Sequence, residues 1–213
     1  MSEQGSSGVS TLGFASADDS EELARAELYG LLSRLWFAPP DEELMQHFKV
    51  AVTQAPESGG LLEASWQDLV GAFRGIDRHQ AAREYDALFQ SVGKPEVMLY
   101  GSYYLSGFLN EKPLADLRAD LTRLGLARDE QRGETEDHVA FVFEVMRYLI
   151  AGDDVAVCNL EQQRRFFRTH VQPWVETLCD AVSEHHQASA YRSLAEFTRS
   201  FVQIEAQAFD LIE

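Results

Sequence analysis

One short acidic segment, Glu134-Thr135-Glu136-Asp137-His138, places three carboxylates and an imidazole directly before a run of apolar residues. Such side chains can bind a cationic group, move a proton, or simply cap a helix, because carboxylates near a helix N-terminus are stabilised by its dipole. As a cap, Thr135 would begin the helix, and Glu136 and Asp137 would occupy its first turn. His138 suits that interpretation poorly, since an imidazolium is disfavoured at a helix N-terminus. A neutral His138 is therefore expected to hydrogen-bond a carboxylate or a ligand.

A second group of candidate residues is a set of tyrosines beside an irregular segment. Tyr100, Tyr103 and Tyr104 lie at the end of residues 91–101, which contain two glycines and a proline. Tyrosine rings offer apolar area with a polar tip, which suits the wall of a peptide-binding groove. As core aromatics they would have no such role, and we expect at least one of them to lie in the core.

The acidic segment must be positioned by the helix that follows it, which is predicted over 139–150. Apolar residues occupy nearly all sides of this helix, so it is expected to be buried among other helices. Apolar residues at helical spacing recur along the chain between proline and glycine breaks, and no alternating strand pattern or internal repeat is present. The sequence predicts an all-α, single-domain bundle of about ten helices around this central helix.

The two ends of the chain differ in composition. Residues 1–19 are rich in Ser and Gly and are predicted to be a disordered leader, with residues 20–213 forming the helical domain. The leader lacks the basic start and apolar run of a secretory signal, and no stretch approaches the roughly 20 apolar residues of a membrane span. The two cysteines lack metal-site spacing and form no disulfide framework. These features predict a cytoplasmic protein without stable membrane insertion.

The charge balance restricts the partners. The chain has 35 acidic against 18 basic residues, a formal net charge of −17. A field of this sign repels nucleic acid and anionic membranes and attracts cationic partners. Nucleic acid is therefore not expected as a partner, whereas a basic segment is.

Signatures of catalysis are missing from the sequence. It has no Gly-rich phosphate loop, no Gly-x-Ser-x-Gly elbow and no Glu-x-x-His pair of the kind that binds di-iron centres. We predict no catalytic residue, no metal site and no cofactor. The adjacent Asp137 and His138 could still form an acid–base pair, and a helical nucleotide-binding enzyme stays an alternative hypothesis.

Four motifs occur in order along the chain. They are Glu84-Tyr85-x-x-Leu88-Phe89, Gly101-Ser102-Tyr103, Glu134-x-Glu136-Asp137-His138 and Gln163-x-x-Phe166-x-x-x-His170-x-x-Pro173-Trp174. Together, in an acidic all-helical chain, they resemble the TorD/DmsD family of redox-enzyme maturation chaperones. The resemblance extends from about residue 20 to residue 209.

The resemblance implies an all-α fold without catalytic activity. Family members bind the twin-arginine signal peptide of a molybdenum-cofactor enzyme in the cytoplasm, and they assist its maturation before export. The implied partners are thus a molybdoenzyme catalytic subunit and its basic signal peptide. In the family, binding involves the Asp-His pair and the aromatic-Gly-Ser loop, which here are Asp137, His138, Tyr100, Gly101 and Ser102.

The predicted peptide-binding site joins the acidic segment to the aromatic loop. Carboxylates of Glu136 and Asp137 would bind arginines in bidentate fashion, beside an aromatic apolar wall. The predicted members are Tyr100, Gly101, Ser102, Tyr103, Tyr104, Glu134, Glu136, Asp137 and His138. On this hypothesis Asp137→Ala weakens client binding far more than it destabilises the fold.

Several points are left open by the sequence. Thr135 stands where the family often has Pro, and Tyr100 stands where it often has Trp, which could change the peptide that is accepted. Residues 108–113 suggest a formate-dehydrogenase-type client, although no physical argument identifies the client. An assembly factor for a folded subunit, guanine-nucleotide binding as seen in the family, and a homodimer exchanging helices about residues 127–133 are further alternatives.

Overall fold

The computed structural model describes residues 17–51, 60–90, 93–128 and 133–211, and within these ranges the regular secondary structure is helical. Ten α-helices and one π-helical segment follow in order: α1 (Ala17–Phe37), α2 (Glu42–Val50), α3 (Glu63–Arg74), α4 (Arg78–Phe89), α5 (Gly101–Ser106), α6 (Lys112–Arg123), α7 (Val139–Ala151), α8 (Leu160–Phe166), π (Phe167–Val171), α9 (Gln172–Ser183) and α10 (Ala190–Asp210). The prediction of an all-α single domain of about ten helices is confirmed.

Helix α7 is the central element, and it ends one residue later than predicted. Its buried residues are Val139, Ala140, Val142, Phe143, Met146 and Leu149. Helix α1 packs along it, with the rings of Tyr29 and Phe143 5.7 Å apart and the Ser33 hydroxyl donating to the Ala140 carbonyl at 2.9 Å. The apolar composition of α7 therefore has the predicted consequence of burial.

The motif on α4, which begins with Glu84 and Tyr85, forms hydrogen bonds with the ends of two other helices. The Glu84 carboxylate accepts hydrogen bonds from the backbone N–H groups of Ser189 at 2.7 Å and Tyr191 at 2.9 Å, at the start of α10. These N–H groups have no partner within the helix, so a carboxylate there satisfies both hydrogen bonding and the helix dipole. The Tyr85 hydroxyl donates to the carbonyl of Phe37 at 2.6 Å, at the end of α1. Glu84 and Tyr85 thus have structural roles.

The motif from Gln163 to Trp174 forms hydrogen bonds that connect α8, the π-helical segment and α9 with α6 and α7. Gln163 donates to the Leu149 carbonyl at 3.2 Å, and the Trp174 indole donates to the His170 carbonyl at 2.7 Å. Burial lowers the pKa of His170 to about 4, so the imidazole is neutral near pH 7 and its Nε2–H donates to the Asp120 carboxylate at 2.6 Å. This motif also stabilises the fold rather than exposing reactive groups.

Two predictions concern parts of the chain that are only partly described. Of the predicted leader, residues 1–16 lie outside the described residues, and α1 begins at Ala17, before the predicted domain start at residue 20. Of the predicted hinge at 127–133, residues 129–132 also lie outside them. Among the helices that are described, none has the length and apolar character required to cross a membrane.

Candidate functional site

The acidic segment and the aromatic loop lie side by side. Tyr100 and His138 form an isolated antiparallel bridge, and the Gly101 N–H donates to the Asp137 carbonyl at 2.9 Å. Backbone hydrogen bonds of this kind fix two segments at strand-like spacing without forming a sheet. The structure therefore brings together the two predicted halves of the site.

Asp137 and Ser102, two of the predicted peptide-binding residues, are buried in this structure. Asp137 is 3% exposed, and its Oδ2 accepts a hydrogen bond from the Ser102 backbone N–H at 2.8 Å while Oδ1 accepts one from the Thr135 hydroxyl at 2.6 Å. Ser102 is itself buried. Both carboxylate oxygens of Asp137 are therefore engaged by the protein's own groups in this structure. Its role in this conformation is to fix the start of α5.

His138, and not Thr135, caps α7, so the predicted cap was wrong. The Nδ1 atom of His138 accepts a hydrogen bond from the Ala140 backbone N–H at 3.2 Å. Burial lowers the pKa of His138 to about 4 despite the raising effects of Glu134 and Asp137. The ring is neutral near pH 7, and a neutral imidazole can accept a hydrogen bond at a helix N-terminus where an imidazolium is disfavoured.

Gly101 is required by the packing of Trp174. A Cβ atom on Gly101 would lie 3.0 Å from Cε2 and 3.1 Å from Nε1 of the indole ring. These distances are shorter than ordinary carbon contacts, and the ring is fixed by its own hydrogen bond to His170. Gly101 is also buried, so in this structure it has a packing role.

Gly101→Ala is expected to reduce the free energy of unfolding by about 2 kcal/mol, because the methyl group overpacks against a fixed ring. Urea denaturation followed by circular dichroism measures the change. Gly71→Ala in α3 is the matched control, since nothing lies within 4 Å of a Cβ there and alanine is the better helix former. Equal stability of the two variants would contradict the packing role.

The remaining predicted site residues are partly buried: Tyr100, Tyr103, Tyr104, Glu134 and Glu136. The Tyr100 hydroxyl donates to the Glu134 carboxylate, and burial together with this bond raises the pKa of Tyr100. Tyr104 stacks on the Trp174 ring and donates to the Met98 carbonyl at 2.8 Å. Tyr103 packs edge-on against Tyr104. Tyr104 thus packs on α9, and Tyr103 packs on Tyr104.

A groove of about 590 Å³, here called the α1–α7 groove, opens next to the acidic segment. Its apolar lining comprises Phe37, Leu121, Leu126, Phe141, Val145 and Tyr148. Sequence reasoning missed this groove, because α7 was expected to be covered on all sides. The spacing of Phe141, Val145 and Tyr148 at i, i+4 and i+7 is the signal of a second apolar stripe on that helix.

His138 connects the predicted residues to the groove. Its ring lies 5.3 Å from Tyr100, 5.9 Å from Phe37 and 5.7 Å from Phe141, measured between ring centroids. Phe37 and Phe141 line the groove, whereas His138 is covered by them. His138 therefore packs behind the aromatic wall of the groove.

The rim of the groove carries three arginines, Arg34, Arg128 and Arg147, and two glutamates, Glu136 and Glu144. Glu136 lines the groove and accepts three hydrogen bonds from Arg118, of 3.0, 3.0 and 2.8 Å. Burial alone would raise the pKa of Glu136, but the bonds from Arg118 and the charge of Arg128 together hold it below the usual value. Glu144, also in the lining, is bound by Arg147. The arrangement can bind apolar side chains next to a guanidinium group.

Comparison with known proteins identifies the family to which the sequence is similar. The model described as nitrate reductase delta subunit matches residues 56–180. Chaperone protein TorD of Vibrio cholerae is 26% identical over 202 residues, covering 87% of this chain and 92% of the relative. Its counterpart in Aliivibrio fischeri is 26% identical over 201 residues, covering 86% and 93%.

A solved structure shares the fold. It is the crystal structure of a protein described as a redox enzyme maturation protein from Archaeoglobus fulgidus, and it superposes with a TM-score of 0.53. The match covers 92% of this chain and 98% of that one at 18% sequence identity. At this identity the likeness establishes the helical architecture.

Proposed function

The chain belongs to the nitrate reductase delta subunit family as a chaperone of the TorD type, and from this premise we propose that it binds the twin-arginine signal peptide of a molybdenum-cofactor oxidoreductase. The bound region would be that peptide or the adjoining N-terminal segment of the enzyme. The chaperone would hold the enzyme during its maturation, before export or assembly. The curated relatives are named chaperones, a non-enzymatic role, so the prediction that the chain is not an enzyme is confirmed.

The α1–α7 groove is the observation that supports this proposal most directly. A twin-arginine signal presents two adjacent guanidinium groups followed by an apolar run. The groove combines an apolar lining with Glu136, a carboxylate already oriented for bidentate binding of a guanidinium. The net charge of −17 would accelerate the encounter with a basic peptide, most strongly at low salt.

The proposal also assigns a place and a mode of action. We place the activity in the cytoplasm, because a signal peptide is accessible there before export. The chaperone acts through binding alone in this proposal and uses no cofactor of its own. Tyr100 and Glu134, which are partly buried and hydrogen-bonded to each other, would contact the segment on either side of the arginines.

A second candidate is binding to a folded subunit surface. It is favoured by an apolar patch at the end of α5, formed by Leu105, Phe108 and Leu109, of which Phe108 is 70% exposed. The patch is held in shape by the Asn110 N–H, which donates to the Ser102 hydroxyl at 3.3 Å. Client binding that requires Phe108 but is indifferent to Glu136 would favour this candidate over the first.

Titration with a twin-arginine peptide and with its Lys-Lys counterpart tests the first proposal. We expect tighter binding of the arginine peptide, weakening with salt, and an affinity loss of about tenfold for Glu136→Gln, because charge-assisted bidentate bonds are lost. Isothermal titration calorimetry gives the Kd values. Glu161→Gln, exposed on α8, is the control for loss of one negative charge. Equal binding of both peptides without salt dependence, or of neither, would reject signal-peptide binding.

A further inference from the structure

Arg118 binds the Glu136 carboxylate, which in the proposed function would bind an arginine of the peptide. It lies on α6, its side chain is 48% exposed, and its Nε and Nη2 atoms donate to both oxygens of Glu136. Glu136 is only 12% exposed. The geometry is the bidentate one that an incoming guanidinium would adopt. A peptide arginine and Arg118 cannot make these bonds at the same time.

The Arg118–Glu136 pair contributes little to holding α6 in place. The buried stripe of Leu114, Leu117 and Leu121 packs this helix onto the core. An ion pair with a half-exposed arginine is screened by water and adds little to stability. Exchange of one guanidinium for another at Glu136 therefore leaves the fold intact.

The Arg25–Glu205 ion pair is a buried pair with a structural role, and it differs from the Arg118–Glu136 pair. The side chains of Arg25 and Glu205 are 16% and 3% exposed, and the Tyr29 hydroxyl donates a further hydrogen bond to Glu205 at 3.0 Å. That pair is enclosed between α1 and α10, away from the groove. In the Arg118–Glu136 pair, by contrast, the arginine is 48% exposed and the glutamate lines a cavity.

Resting on the proposed function, we propose that Arg118 is an intramolecular competitor of the client, which holds Glu136 until a peptide arginine displaces it. The competition lowers the affinity for the peptide by the free energy of the Arg118–Glu136 pair. It also assists release, because Arg118 re-forms its bonds as the peptide leaves. In the empty state the carboxylate at the groove is never left without a cationic partner.

Arg118→Gln tests this competition with the same twin-arginine peptide. Removing the competitor is expected to tighten binding about two- to fivefold, the range that an exposed ion pair accounts for. In the Glu136→Gln background the same change is expected to give no gain, because the contested carboxylate is absent. Thermal unfolding is measured alongside, and an unchanged midpoint for Arg118→Gln shows that the fold is retained.

Arg168→Gln is the matched control. Arg168 forms a comparable surface ion pair with Asp210 at 2.7 Å, so its loss changes the net charge equally at a different place. We expect its peptide affinity to match that of the wild type. The competition is overturned if Arg118→Gln binds the peptide no more tightly than the wild type, or if Arg168→Gln gains as much affinity. In either case a loss of affinity in Glu136→Gln still supports the proposed function. No binding by the wild type or by Arg118→Gln overturns both.

Discussion

Asp137→Ala is expected to lower the free energy of unfolding by about 3 kcal/mol, because it removes two hydrogen bonds and leaves the buried Ser102 N–H without its acceptor. Urea denaturation followed by circular dichroism measures this loss. In the fraction that remains folded, peptide affinity is expected to change by no more than about twofold, since the carboxylate does not reach the groove. This order of effects is the reverse of the one that the motif suggested from sequence.

Asp68→Ala, at an exposed position on α3, is the control for loss of an aspartate and is expected to cost less than about 0.5 kcal/mol. Asp137→Asn retains one acceptor oxygen and is expected to lie between the two. Lost peptide binding at unchanged stability in Asp137→Ala would return Asp137 to direct contact with the client. The comparison therefore separates a residue that shapes the site from one that meets the ligand.

Glu205→Ala is expected to have the largest effect on stability, a loss of about 4 kcal/mol, because it leaves the largely buried guanidinium of Arg25 with only the exposed Glu22, at 2.6 Å, as an anionic partner. Arg25 donates to Glu205 at 2.9 and 2.8 Å, and Tyr29 adds a third bond. Burial and the neighbouring carboxylate raise the pKa of Tyr29, so its hydroxyl stays a donor. Denaturant midpoints of the variant and the wild type give the difference.

Glu196→Ala on the same helix is the matched control. Glu196 also pairs with an arginine, Arg199 at 2.8 Å, but its side chain is 45% exposed. Its loss is expected to cost at most about 1 kcal/mol, as for other exposed pairs. The double variant Arg25→Leu with Glu205→Leu is expected to be more stable than Glu205→Ala, because the buried guanidinium is removed together with its bidentate partner. Similar losses in the free energy of unfolding for Glu205→Ala and Glu196→Ala would show that burial does not determine how much an ion pair stabilises the fold.

The charged and polar residues of the motifs thus divide into those that support the fold and those that line the groove. Glu84, Asp137 and His138 each satisfy the backbone N–H groups at the start of a helix. Such groups have no partners within the helix itself, so an acidic or imidazole side chain at that point stabilises the fold. Glu136, in contrast, lies on the groove and binds an exchangeable arginine. Neighbours in sequence thus have different tasks.

Local information explains what was predicted correctly. The burial of α7 follows from its composition, because a helix without a polar face must be covered by other helices. Breaks at proline and glycine set the approximate number of helices, and the spacing of the four motifs indicated the family. The capping of α7 was misassigned to Thr135, since several neighbouring side chains could accept the same hydrogen bond.

The sequence by itself determined the helical class, the central helix and the TorD-type motifs, because periodicity and helix-end chemistry act between residues close in the chain. The tertiary structure alone decided that Asp137 is directed inward and Glu136 outward, and that Arg118 reaches Glu136 from another helix. It also decided that α1 and α7 leave an open apolar groove between them. The physical reason is that contacts between helices depend on how their surfaces pack, which the pattern along one helix does not specify.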